Sequence, residues 1–415
     1  MKVIFSEKLI GYLYYYAKMR YAKKHNAFLH NKNIIFIFAT KNNMMNPFSY
    51  STIVKANYFY DRKDECARLV ETLSGGNNMV MYAPRRFGKT SLVFRAIEQL
   101  EQMGFACVYF DFMPVFSPES FVRLYTKALS VKQSNLNKFA RIFTSVIKNI
   151  RPLITFGQDG TPEFSIDFAN TKIDETVISQ LLDMPEQLAR KNKRVIVFFD
   201  EFQEVEKLKN IHFESLMRNK IQHHQNANYL FFGSKTHLLK EMFNDKNKAF
   251  YHSTSQMTIG PLPQQETIDY LQAKFALSNI AIDSDTATCL IAVAADIPQY
   301  IQFLASEIWQ NTVNRQSVIT KETVDENAKK VLAYKIDYHM ELFENQSKSK
   351  KQLLKALSIE GEKIFSSEYI QKHRLPAAAT LQRAAKELIN KGIIDRVGNT
   401  YFITDPFFKM FVSQC

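Results

Sequence analysis

One nine-residue string constrains this chain more than any other. APRRFGKTS fills residues 83–91, after the short apolar run Met79–Tyr82 and before SLVFRAIEQLEQMG, whose Leu92, Val93, Ala96, Ile97 and Leu100 recur at a helical period. The text reads strand, loop, helix, with Gly88-Lys89-Thr90 at the bend. Such a loop turns successive backbone N–H groups inward over a helix N-terminus, so a phosphate meets hydrogen-bond donors and the positive dipole end together. The pattern is G-x-x-x-x-G-K-S/T with Ala83 where the first glycine stands. Alanine is small enough to begin the turn if φ stays negative there. On that pattern Ala83, Pro84, Arg85, Arg86, Phe87, Gly88, Lys89, Thr90 and Ser91 cradle phosphate. Lys89 reaches the β- and γ-phosphates, and the Thr90 hydroxyl ligates magnesium.

A second string supports the first. VIVFFDE (195–201) is a wholly apolar run ending in two carboxylates, as in a strand buried on both faces. In a parallel sheet those carboxylates emerge at the C-terminal edge, beside the phosphate loop. Asp200 is then placed to hold magnesium through water and Glu201 to polarise an attacking water; an acidic helix cap is the alternative. A third run, NYLFFGS (228–234), ends in Gly233-Ser234. If it lies between the other two strands, the Ser234 hydroxyl faces the γ-phosphate and can orient water; otherwise it turns the chain. The strict guanine-reading N-K-x-D motif is absent, Asn247-Lys248 being followed by Ala249 and Phe250, so ATP is the expected nucleotide.

On these blocks the chain resembles the archaeal-type ATPases, P-loop proteins of the wider AAA+ and STAND group. The resemblance covers most of residues 45–415. It runs from MNPF (45–48) and FYDRKDE (59–65), similar to F-x-G-R-x-x-E with Asp61 in place of glycine, through APRRFGKTSLV and FFDEFQEV (198–205). It continues in FFGSKTHLL (231–239) and AFYHS (249–253) and ends in the tail YFITDPFFKMF (401–411). The resemblance implies an α/β fold with a five-stranded parallel sheet in the order 5-1-4-3-2 and ATP and magnesium as ligands. It also implies Lys89 and Thr90 as the Walker A pair, Asp200 and Glu201 as the Walker B pair, Ser234 at the sensor 1 position, and Arg62 near the adenine or its approach. The family's lid signature G-x-P-x-Y-L is here ADIPQYIQFL (295–304), which keeps Pro298 and Tyr300 but lacks the glycine and any arginine for a sensor 2 contact.

The net charge of +13 belongs to the two ends. Residues 1–44 carry eight Lys/Arg and one acidic residue, residues 348–415 carry twelve and six, and the stretch between is neutral. The first end reads as a basic, poorly packed extension or upstream sequence ahead of Met44 or Met45, a nucleic-acid or membrane-surface arm being the alternative. The last reads as three helices and a wing turned at Gly398-Asn399, a winged helix-turn-helix. In its third helix Leu381, Ala385, Leu388 and Ile389 make an apolar side, while Gln382, Arg383, Lys386 and Asn390 face outward as candidate DNA contacts. Winged helices also dock on proteins, so a protein partner or self-association stays open.

The expected organisation is an ATPase core over 45–261, a helical lid over 262–347 and the winged helix over 348–415. The core carries an inserted helical and hairpin segment at 112–194, turned at Gln158-Asp159-Gly160. Adjacent His223 and His224 diverge by roughly 100° on a helix and read as surface histidines, not a metal pair. Apolar runs fall far short of the roughly twenty residues of a membrane span. The scattered Cys66, Cys107, Cys289 and Cys415 suggest neither zinc site nor disulfide framework, so a reducing cytoplasm is expected, with no membrane partner. The functional expectation is a magnesium-dependent ATPase that couples nucleotide state to a DNA-contacting winged helix, the alternative being a non-catalytic nucleotide-gated regulator.

Overall fold

The computed structural model describes residues 45–50, 62–131, 135–148, 150–157, 160–168, 173–189, 194–208, 211–314 and 318–415. The basic extension 1–44, the lead-in residues 59–61 and the hairpin tip Gln158-Asp159 lie outside the described residues. Asn46 to Cys415 belong to one compact unit.

Along the chain the strands are β1 (Met79–Tyr82), β2 (Ala106–Asp111), the hairpin β3 (Arg151–Phe156) and β4 (Pro162–Asp167), β5 (Val195–Asp200), β6 (Ala227–Gly233), β7 (Ser255–Thr258) and the wing strands β8 (Ile394–Val397) and β9 (Thr400–Ile403). Five form a parallel sheet in the order β7-β1-β6-β5-β2. Counted among themselves they run 5-1-4-3-2, the order that the resemblance implies.

Strand pleating sends alternate side chains to opposite layers. Met79, Met81, Ile196, Phe198, Leu230 and Phe232 face the layer of α1 (Lys63–Ser74) and α2 (Lys89–Gln102). Val80, Tyr82, Val197, Phe199, Tyr229 and Phe231 face the other, where α3 (Pro118–Val131), α4 (Leu136–Val146) and α5 (Glu175–Ala189) pack. Both faces are buried, so the strands read as unbroken apolar runs. Each fully buried Phe or Leu contributes roughly 1.5–3 kcal/mol. Phe121, Tyr125, Phe139, Phe143 and Phe164 of the inserted segment join the second layer, so the insertion completes the core on that side.

Two helices, α6 (Phe213–Ile221) and α7 (Thr236–Asn244), flank β6. At the end of α6 the structure corrects one expectation. His223 is exposed, but the His224 side chain is 2% exposed, with Nδ1 2.7 Å from the Tyr229 hydroxyl and Nε2 3.0 Å from Asp183 Oδ1. The turn into β6 folds this ring inward, which helical spacing alone does not reveal. No group of three or more His, Cys, Asp or Glu residues that could hold a metal occurs among the described residues.

Next come α8 (Gln264–Ala276), α9 (Ser284–Val293), α10 (Pro298–Thr312) and α11 (Lys321–Tyr334). Pro298 opens α10, where its fixed φ suits the first helical position. Among the described residues no single helix is long and apolar enough to cross a membrane. Helix α12 (Ile336–Glu344) leads into the winged helix, formed by α13 (Lys348–Ile359), α14 (Ser367–Lys372), α15 (Ala378–Asn390), β8, β9 and α16 (Pro406–Ser413). Asp405 caps α16 by accepting from the Phe407 and Phe408 amides. Phe407 then enters the core of the preceding helices against Tyr300 and Phe303, while Phe408 and Phe411 fill the winged-helix core. One short helix thus joins the two modules.

Asp296 stands where the lid signature has glycine, and its φ is +56°. Left-handed backbone penalises a side chain that glycine lacks. Asp296→Gly is therefore expected to stabilise the chain by about 0.5 kcal/mol, seen as a raised melting temperature. An unchanged or lower value would show that the Asp296 side chain offsets its backbone strain.

Candidate nucleotide site

The loop after β1 is tightly wound. Ala83 is fully buried and keeps a negative φ, as its place in the pattern requires, whereas Arg86 and Gly88 take φ of 72° and 80°. A Cβ on Gly88 would meet nothing within 4 Å, so its glycine answers to backbone angle and not to space. Helix α2 begins at Lys89, and the Leu92 amide closes its first turn on the Gly88 carbonyl at 3.0 Å. Strand β6 lies between β1 and β5 and pairs Tyr82 with Gly233. The loop, Ser234 and the Asp200-Glu201 pair therefore share one sheet edge.

Lys89 stands between the carboxylates. Its Nζ lies 2.8 Å from Glu201 Oε1 and 3.7 Å from Asp200 Oδ1. Glu201 has φ +47°, a left-handed turn straight after the strand. Its Oε2 accepts from Gln203 Nε2 at 2.6 Å, the Ser234 amide at 3.0 Å and the Ser234 hydroxyl at 2.9 Å. Burial alone would raise the Glu201 carboxyl, but Lys89 and these donors outweigh it and hold it down to about 2. Asp200 goes the other way. Burial dominates there and raises its carboxyl, against the opposing pull of Lys89 and the Tyr109 hydroxyl, which donates to Oδ2 at 2.5 Å.

Sequence reasoning missed Gln203 and Tyr109. The only signal for Gln203 is its place two residues after Glu201, and for Tyr109 its place at the end of an apolar run. Gly233 has a reason of the same kind: a Cβ there would stand 2.1 Å from Gln203 Oε1, so glycine lets the amide lie against β6. Lys235 Nζ, 2.8 Å from Glu204 Oε1, fastens the two loops together.

The twin arginines of the loop part company. Arg85 Nε donates to the Ser234 hydroxyl at 3.3 Å, and its guanidinium lies so close to the winged helix that a Cβ on Gly392 would be 2.9 Å from it. Arg86 donates to the Tyr300 hydroxyl, lies 4.7 Å above that ring and stands 3.8 Å from Asp405. Its carbonyl also accepts the Gln299 amide at 3.3 Å. Arg62 is buried and braces the loop from below, donating to the Phe87 carbonyl at 3.2 Å and the Gly260 carbonyl at 2.7 Å. A narrow cleft separates Arg85, Ser234, Lys235 and His237 from Asn390, Asp395 and Thr404 of the winged helix. Asn390 thus faces this cleft, while Gln382, Arg383 and Lys386 are exposed on α15.

A parallel sheet with a phosphate loop and paired carboxylates on one edge defines a P-loop NTPase. Residues 59–275 match the family described as an ATPase domain predominantly from Archaea, over half of the chain, and the chain belongs to that family. Residues 337–414 match a probable winged helix domain. Over 162 residues the chain is 27% identical to an uncharacterized ATP-binding protein of Pyrococcus horikoshii, covering 36% of this chain and 45% of that protein. Over 171 residues it is 28% identical to an uncharacterized ATP-binding protein of Methanocaldococcus jannaschii, covering 38% and 46%. The matches span less than half the length of these relatives. Among solved structures, the Walker-type ATPase of Pyrococcus abyssi superposes with a TM-score of 0.59 at 17% identity, over 88% of this chain and 99% of that one. The Aeropyrum pernix ORC2 protein in its ADPNP and ADP complexes gives 0.51 at 12%, over 88% and 98%. These two show a shared fold.

The depressed Glu201 carboxyl has a stability consequence. It contributes stability that is present above its ordinary value of 4.5 and lost as pH falls toward about 2. Glu201→Gln is expected to melt below wild type near neutrality, because Lys89 loses its partner, with the gap closing as the pH falls through that window. Thermal melts across the acid range check this; a gap that ignores pH would refute the ion pair.

Proposed function

We propose that this chain binds ATP with magnesium at this edge, hydrolyses it, and couples nucleotide state to a winged helix that contacts DNA. The observation that carries the reading is Lys89, set between Asp200 and Glu201 beneath a loop whose arginines touch both Tyr300 and the winged helix. A triphosphate in the loop competes with Glu201 for Lys89. Once that cation moves to phosphate, Glu201 loses the strongest influence holding it down, while Gln203 and Ser234 keep it in place as a base for water. Residues 83–91 cradle the phosphates and Ser234 reports on the γ-phosphate. Arg62 serves the nucleotide on its adenine approach through the loop it braces.

The residues fit magnesium. Thr90 and Asp200 offer hard oxygen donors, and no all-protein cage surrounds them among the described residues, which suits an ion held by one or two carboxylates plus substrate phosphates. When bound, the ion supplies charge neutralisation to the phosphates. On the winged helix, exposed Gln382, Arg383 and Lys386 would meet DNA, with Asn390 at the cleft end of the same face. The working units are the core 45–261, the lid 262–347 and the winged helix 348–415, in a cytoplasmic setting.

Glu201→Gln is expected to keep ATP affinity while turnover falls at least about 100-fold, and Lys89→Ala to weaken affinity itself. Normal turnover in the first, or normal affinity in the second, overturns the assignment. The DNA reading is tested by ATPase rate with and without duplex DNA at two salt concentrations. Neutralising Arg383 and Lys386 together should lower the salt slope of DNA affinity by roughly 2. The second reading, a non-catalytic nucleotide-gated regulator, is favoured by the low Glu201 carboxyl, since so weak a base moves protons poorly. Nucleotide-dependent DNA affinity without turnover, with or without DNA, would select it.

A further inference from the structure

The metal-holding carboxylate has a partner from outside both phosphate motifs. In β2, Val108 and Phe110 point into the layer of the inserted segment, so Tyr109 points to the opposite face, toward α2. Its ring stacks on Phe94 of α2, 5.0 Å between centroids at 28°, and lies 6.4 Å from Phe232 of β6. The ring is thus fixed from two sides. The β2–β5 register pairs Tyr109 with Phe198 and Asp111 with Asp200, which brings the phenol two residues short of the carboxylate on the neighbouring strand, within reach of its side chain. The hydroxyl donates to Asp200 Oδ2 at 2.5 Å.

The two oxygens of Asp200 are thereby divided. Oδ2 is held by Tyr109; Oδ1 accepts the Glu201 amide at 2.8 Å and looks toward Lys89 at 3.7 Å, on the side where α2 begins with Lys89 and Thr90. A buried carboxylate without the phenol has one strong donor left to turn to, the Lys89 ammonium, and a direct ion pair there would take the oxygen that a metal needs and the cation that a phosphate needs.

We propose that Tyr109 is a positioning residue for magnesium: by donating to one oxygen of Asp200 it keeps the other turned to the phosphate loop and keeps Asp200 from collapsing onto Lys89. The inference rests on the nucleotide reading of this edge and deepens it. The partner chemistry is a divalent cation of hard, oxygen-seeking character brought in with a nucleoside triphosphate.

Tyr109→Phe removes only the hydroxyl and leaves the stack on Phe94. The measurement is affinity of the full chain for a fluorescent ATP analogue, titrated with magnesium chloride and repeated in EDTA. The expected result is an EDTA affinity within about twofold of wild type and a magnesium requirement raised about tenfold, the usual loss when a ligand's outer partner is removed. A role confined to packing would leave the magnesium requirement unmoved, and that outcome overturns the assignment of Tyr109. A wild-type chain without magnesium-dependent nucleotide binding overturns instead the reading on which it rests. Manganese binding followed by electron paramagnetic resonance, in the presence of the same nucleotide, gives a second readout with the same expected loss.

Discussion

The site turns on one cation between two carboxylates. Lys89 sits at the first turn of α2, where the helix dipole already favours negative charge, and faces Asp200 and Glu201 across the strand ends. Removing either side of a buried arrangement like this leaves uncompensated charge, so a ligand can take the lysine only if it brings negative charge to replace what the carboxylates provided. A triphosphate does so. On the proposed reading, the same electrostatics that hold the loop together would select an anionic ligand, and its arrival would change the state of Glu201.

Under that proposal the change would have a mechanical outlet, because the loop residues before the helix point in different directions. Arg85 meets Ser234 and the Gly392 corner of the winged helix, and Arg86 meets Tyr300 and Asp405. Asp405 also caps α16, whose Phe407 is buried against Tyr300 and Phe303. A shift in the loop therefore loads a helix end and an aromatic contact at once, both of which pack in discrete arrangements. The winged helix is tied to the nucleotide edge by named side chains and not only by continuity of the chain.

Much of this is legible in the order of residues alone. Apolar runs with polar or charged ends mark β1, β5 and β6, the glycine-lysine-threonine bend marks the loop, and the exposed face of α15 follows from its period. What stays hidden there depends on contacts between segments distant in sequence. Tyr109 looks like one more aromatic in a strand until register sets it beside Asp200, and Gln203 looks like a loop amide until Gly233 is seen to make room for it. His224 meets the same limit, since spacing on a helix says nothing of the turn that folds its ring against Tyr229 and Asp183.

The two adjacent carboxylates also show how environment divides labour between residues of one chemistry. Asp200 ends a straight strand, and its backbone carbonyl still accepts from Phe112, so its side chain projects where the strand directs it. Glu201 has left the strand through a left-handed turn that a non-glycine residue adopts only under constraint. That turn carries its longer side chain back over Ser234, where donors converge from two loops. Exchanging the two residue types would put the short arm where the long reach is needed, so the order Asp then Glu follows from the geometry of the strand end.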